Sequence, residues 1–318
     1  MLEAMAQAPV SGVVAGGRAT VAFLLAGNNE RANELLARTG ARADALANEP
    51  MARGAILQAR SMQALVSGDA AAHVALVAAS AESFEQGGDL RSASLARVNV
   101  GYGMLMLGDL RGAAEKLEAA LAWTEPMGLA YVSAATRHNL GLALLYEGQL
   151  AEALEMETRA VNEAIKLGDK RLEGASRIYL ALILADMGDF VAAEQQARWA
   201  IELVSVAAPV RLHALGTLAH VLVRGGRAPE ALAVAREAMD LLAKIGDVEE
   251  GETLTRLAFA RALEVSGDVA GARREILVAR EKVLAAASKI SEASRREAFL
   301  GAIPEHRDTL EMATRLGQ

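Results

Sequence analysis

Glycine recurs through this chain at almost fixed intervals. Gly27, Gly68, Gly108, Gly148, Gly188, Gly226 and Gly267 are separated by 41, 40, 40, 40, 38 and 41 residues. Four of the settings read LGDL, EGQL, MGDF and SGDV: an apolar helix end, glycine, a polar residue, then the next apolar run. Glycine enters the left-handed conformation that ends a helix, and an Asp after it caps the helix that follows. A second series, Gly88, Gly128, Gly168 and Gly246, falls midway, with Pro209 in the matching place between them. Each period therefore predicts two helices of about 17 residues, each roughly 25 Å long. One such unit cannot bury its own apolar faces, so the units must stack into an α-solenoid.

Small residues hold fixed places around each turn. Seven residues before the glycine stand Thr20, Ser61, Gly101, Gly141, Ala181, Ala219 and Ala260; five residues after it stand Ala32, His73, Ala113, Ala153, Ala193, Ala231 and Ala272. Side chains this small let two helices approach to about 8–10 Å. His73 breaks the rule, which predicts looser packing in the second repeat. The segment NLGLALLYEGQLAEALEMETRAV (139–161) carries the pattern from its LG pair through Ala153 and Ala160, and it resembles the tetratricopeptide repeat (TPR). The resemblance recurs at all seven turns and covers almost the whole chain. It implies an all-α fold, an α-solenoid of about seven helix pairs in a right-handed superhelix. Residues 11–289 would form the repeats, residues 1–10 the remnant of an earlier second helix, and residues 290–318 the capping helices.

Two features depart from the family. The period is near 40 instead of about 34, as in the longer repeats of bacterial regulators such as MalT-like proteins. Arginines (Arg97, Arg137, Arg177 and Arg256) stand where an aromatic belongs early in the first helix. Arginines stacked alone would repel, so acids of the second helices, such as Glu118 or Glu157, are expected between them.

Composition narrows the function. Aromatics are only 3% of a chain that is 53% hydrophobic, which suits close-packed helices better than a sandwich or barrel. A net charge of −7 argues against nucleic acid or an anionic membrane as partner. The absence of cysteine excludes disulfides and thiolate chemistry. No signal peptide is legible in MLEAMAQAPV and no apolar run could span a bilayer, so a cytoplasmic protein is expected. The segment FLGAIPEHRDTLEMATRLG (299–317) resembles the close of TPR arrays in bacterial signalling proteins. That likeness implies a longer polypeptide, with a serine/threonine kinase or AAA-type ATPase covalently linked. Within this segment Leu310, Ala313 and Leu316 are expected to face the last repeat while Glu305, Asp308, Glu311 and Arg315 stay wet.

No catalytic set survives inspection. HRD at His306–Asp308 matches a kinase triplet, but Ala313 stands where the magnesium-binding Asn is required. GVVAGGRAT (12–20) has Arg18 and Ala19 in place of the lysine and hydroxyl of a phosphate loop, and no strand precedes it. His213 and His220 share a helix face without the spacing or carboxylates of a metal site. Neither an enzyme, a metal nor a cofactor is expected.

Binding is the remaining function. In TPR proteins first helices line a concave groove at positions ten, six, three and two residues before the turn glycine. The resemblance carried onto this chain gives Tyr102 and Met106, then His138, Leu142 and Tyr146, then Ile178, Leu182 and Asp186, then His220 and Arg224. An apolar strip with a polar edge suits a protein or peptide segment. The alternative is a small ligand or short peptide held in a sensor domain.

Overall fold

The computed structural model describes residues 9–46, 48–248 and 250–317. Residues 1–8, expected to be most of a remnant helix, lie outside that range. Among the described residues sixteen α-helices and one 3-10 turn are present and no strand. The helices form seven consecutive pairs. They are α1 (Pro9–Leu25) with α2 (Asn29–Ala43), α3 (Pro50–Val66) with α4 (Ala70–Gln86), and α5 (Leu90–Met106) with α6 (Leu110–Thr124). Next come α7 (Ala130–Tyr146) with α8 (Leu150–Leu167), and α9 (Lys170–Asp186) with α10 (Phe190–Leu203). The series closes with α11 (Ala208–Arg224) and α12 (Ala228–Ile245), then α13 (Glu252–Val265) and α14 (Val269–Ser288). Two further helices, α15 (Ala293–Gly301) and α16 (Pro304–Gly317), end the chain.

The turns form for the reason the sequence supplies. All seven turn glycines take φ between 71° and 91°, a region costly for any residue with a Cβ. At Gly108 the amide of Asp109 reaches back to the Met104 carbonyl at 3.0 Å and that of Gly108 to Leu105 at 2.9 Å, which satisfies the carbonyls left over at the helix end. The Asp109 carboxylate then accepts the Gly112 N–H at 3.1 Å and starts α6. Asp69, Asp189 and Asp268 repeat this cap at 2.8–3.0 Å.

Helix contacts are made at the small residues. Ala113, Ala153, Ala193, Ala231 and Ala272 are completely buried. His73, in the same slot, is buried too, against the looser packing expected of it. Its Nδ1 lies 3.0 Å from the Ser61 carbonyl. Its ring occupies space that Gly103 leaves open, since a Cβ there would sit 2.8 Å from the imidazole. A missing side chain on the next first helix compensates the large one.

The arginines are paired, Arg97 and Arg137 by acids of second helices as expected, though not by Glu118 or Glu157, and Arg177 and Arg256 by acids of their own helices. Arg97 meets Glu85 at 2.6 Å and Arg137 is clasped by Glu125 and Glu163. Arg177 lies 2.7 Å from Glu173 and stacks over the Trp199 ring, and Arg256 lies 2.8 Å from Glu252. Glu118 is exposed, and Glu157 faces a histidine instead.

The carboxyl end does more than cover the last repeat. On α16, Thr309, Met312 and Ala313 are buried, the latter two against Leu257, Leu263 and Ile276. Met312 fills the place expected of Leu310, which is half-buried. Glu305 and Asp308 are not simply wet. Glu305 accepts the Tyr146 hydroxyl at 2.9 Å, and Asp308 holds Arg261 at 2.8 Å. Phe299 of α15 clusters with Val283 and Ala287 of the last pair and with Leu107 of the third. The Ala298 carbonyl packs so closely on Gly108 that a Cβ there would lie 2.5 Å from it. Lys289 donates to the Ser67 carbonyl at 2.6 Å, and Asn29 donates to that of Asp247 at 3.1 Å. Early and late repeats thus meet across the concave face.

Candidate functional site

Where early and late repeats approach one another, two partly open cavities lie on the concave face. The first, about 200 Å³, takes residues from six consecutive first helices: Val21 of α1, Met62 of α3, Tyr102 of α5, His138 of α7, Ile178 of α9 and His213 of α11. The second, about 270 Å³, lies between the turn after α3 and the last pair, and includes Met106, Arg256, Lys282, Glu305 and His306. Glu250, just ahead of α13, lines both.

The expected groove residues separate into groups. Tyr102, His138 and Ile178 come together in the first cavity, and Met106 faces the second. Leu142 does not line the groove. It is completely buried in the core with Leu105 and Ala153, because that face of α7 packs on neighbouring helices. Leu182 is partly buried against the same core. Tyr146 is covered by the chain's own carboxyl end through Glu305. Asp186 and Arg224 line neither cavity and pair with each other, with Arg224 also over Phe190. His220 is held at a pKa of about 3 by burial and by the charges of Arg261 and Arg224.

The first cavity has a polar centre. Tyr179 is 1% exposed and stacks on His138, with ring centroids 4.3 Å apart and planes 6° from parallel. It meets His213 edge-on at 6.1 Å, and its hydroxyl donates to the Glu250 carboxylate at 2.6 Å. Behind His138, its Nδ1 lies 3.2 Å from Ser176 Oγ and 3.3 Å from the Glu157 carboxyl group. Burial pushes Glu157 well above its ordinary range and, with the nearby Arg171 charge, holds His138 down at about 3. Near neutral pH the His138 imidazole is therefore uncharged, and burial favours the protonated form of the Glu157 carboxyl group beside it. Among the described residues no group of His, Asp or Glu could hold a metal ion, and no helix is long and apolar enough to cross a membrane.

No protein-family model matches the chain, and no curated protein sequence matches it. Solved structures do. A Rap protein complexed with competence and sporulation factor aligns over 97% of this chain and 99% of its own, at a TM-score of 0.61 and 12% identity. The chain has a TPR-type fold. The Rap conjugation regulator of plasmid pLS20, in complex with the Phr* peptide, gives a TM-score of 0.62 at 12% identity, over 85% of this chain and 76% of that one. The apo quorum sensor NprR of B. thuringiensis gives 0.56 at 12% identity, over 95% and 87%. At such identity the likeness establishes the fold alone.

This TPR-type solenoid also explains which site residues its repeat pattern conceals. Fixed offsets from the turn glycine find a groove only if it crosses every first helix at the same height. Here it runs obliquely. Val21 and Leu25 line the cavity six and two residues before Gly27, whereas Asn139 stands nine before Gly148 and Tyr179 nine before Gly188. His213 stands thirteen before Gly226 and Glu250 seventeen before Gly267. The lining thus slides toward the amino ends of later first helices. Asn99 and Asn139, forty residues apart at one register, were a legible signal of it.

Proposed function

We propose that the chain is a non-enzymatic peptide-binding sensor or docking scaffold, and that its ligand lies along the concave channel. The observation that carries this reading is the lining itself, drawn from six consecutive first helices and mixing apolar walls with polar groups. Apolar walls supply burial, while a few placed polar groups fix orientation. The amides of Asn99 and Asn139 each offer a donor and an acceptor, which matches a peptide backbone. Complexes of similar folds with the competence and sporulation factor and with the Phr* peptide support the same reading. We place the protein in the cytoplasm as part of bacterial signalling, with a protein or peptide partner and neither nucleic acid nor membrane; its net charge of −7 supports this.

The small volume of both cavities, about 200 and 270 Å³, favours a second reading, a small-ligand sensor. One experiment separates the two. The protein is incubated with a pool of random hexapeptides and, separately, with a pool of sugars and free amino acids. It is then gel-filtered, and the retained compounds are identified by mass spectrometry. Retention of hexapeptides sharing a sequence pattern supports the peptide reading. Retention from the second pool alone replaces it with the small-ligand reading, and retention from neither overturns both.

A further inference from the structure

Glu250 is an odd visitor to the channel. Apart from His73 of α4, the rest of the first cavity's wall belongs to stacked first helices, whereas Glu250 precedes its helix and reaches in from the connection that follows α12. Its Oε1 accepts the Tyr179 hydroxyl across 71 residues of sequence, and its Oε2 lies 3.9 Å from His213 Nδ1. Arg171 lines the same cavity and adds positive charge there. A carboxylate brought among buried rings is tolerated only where donors and positive charge await it. The Tyr179 phenol supplies the donor, while the His213 imidazole and the Arg171 guanidinium line the same cavity.

The approach also depends on one glycine. Gly251 has φ 87°, and a Cβ on it would sit 2.7 Å from His213. Any larger residue would force the backbone away and withdraw the carboxylate. Yet Glu250 itself keeps 20% of its side chain exposed, while the tyrosine that it meets has almost none. It lines both cavities, as Leu65 does.

We infer that Tyr179 and His213, with Arg171 beside them, form a carboxylate-binding subsite, and that Glu250 occupies it as an internal substitute for a carboxylate of the bound peptide. This rests on the peptide reading above. The ligand is then a peptide presenting a monoanionic carboxylate, either its carboxyl terminus or an Asp or Glu side chain. Binding requires that Glu250 be displaced, so the chain competes with its own ligand.

The test uses three hexapeptide pools: free carboxyl termini without Asp or Glu, amidated termini with Asp and Glu, and amidated termini without either. Each is offered to the full chain, to Glu250→Ala and to Glu250→Ala/Tyr179→Phe, with retention read by mass spectrometry and folding by melting temperature. Glu250→Ala is expected to retain one carboxylate-bearing pool about tenfold more than the parent, as befits freeing a hydrogen-bonded charge site. The acid-free amidated pool should not change, and which pool gains identifies the source of the carboxylate. Tyr179→Phe keeps the ring and should abolish the gain. Equal retention of all three pools, or weaker retention by Glu250→Ala at an unchanged melting temperature, overturns the subsite while leaving the peptide reading intact. No retention of any pool by any variant overturns both.

Discussion

His138 and Tyr179 lie face to face, 4.3 Å between ring centroids, although they belong to neighbouring repeats and stand at different registers in them. The stack places a neutral imidazole between a buried carboxyl group and the channel. His138 contacts Glu157 behind it, and Tyr179 carries the chain of contacts on to Glu250.

Glu157 should make stability depend on pH in a distinctive direction. Burial raises its pKa from 4.5, so above that value the folded chain holds a proton that the unfolded chain has released. This contribution lowers stability as pH rises. His138 acts oppositely: its pKa falls from 6.5 to about 3, so its contribution is lost as pH drops through that window. Glu157→Gln keeps a donor toward Nδ1 without a proton to lose. Its stability relative to the parent should grow as pH rises above 4.5. Urea melts at several pH values would show this, and a constant difference would mean that Glu157 is ionised throughout.

Leu142 and Tyr102 should respond differently to the same replacement. Leu142→Glu buries a charge in the core and should cost about 3 kcal/mol or more, collapsing its repeat. Tyr102→Glu alters a half-buried channel wall, so peptide retention should vanish while the melting temperature stays within about 4 °C. Circular dichroism melts beside the retention assay would check both.

Gly141 and Glu157 should be coupled. A Cβ at Gly141 would lie 2.6 Å from Glu157 Oε1 and 2.7 Å from its Cγ. Gly141→Ala should destabilise by about 1–3 kcal/mol through overpacking. In a Glu157→Ala background the clash is gone, and the same change should stabilise by up to about 1 kcal/mol through helix propensity. A double-mutant cycle showing additive effects would rule out the contact.

Removing residues 304–318 should strip the last pair of its cover. Leu257, Leu263 and Ile276 would lose Met312 and Ala313, and Tyr146 would lose Glu305. Concentration-dependent self-association on gel filtration is expected, with a lower melting temperature. A monomer as stable as the parent would deny α16 this role.

The sequence by itself determined the helices, their pairing and the turns. Each of these is fixed locally: Gly108 must take positive φ, Asp109 must cap α6, and Ala153 must admit a neighbouring helix. A repeat writes such requirements many times over, so they are legible without partners. Tertiary structure alone decided where the channel runs. The superhelix turns a little at every repeat, so the inward stripe slides from Leu25 near the end of α1 to Pro209 near the start of α11. It decided, too, that His73 finds its space at Gly103 and that Leu142 is core. Contacts such as Tyr179 with Glu250, or Tyr146 with Glu305, join residues 71 and 159 positions apart. No local propensity encodes that distance; only the accumulated rotation of stacked pairs brings those side chains together.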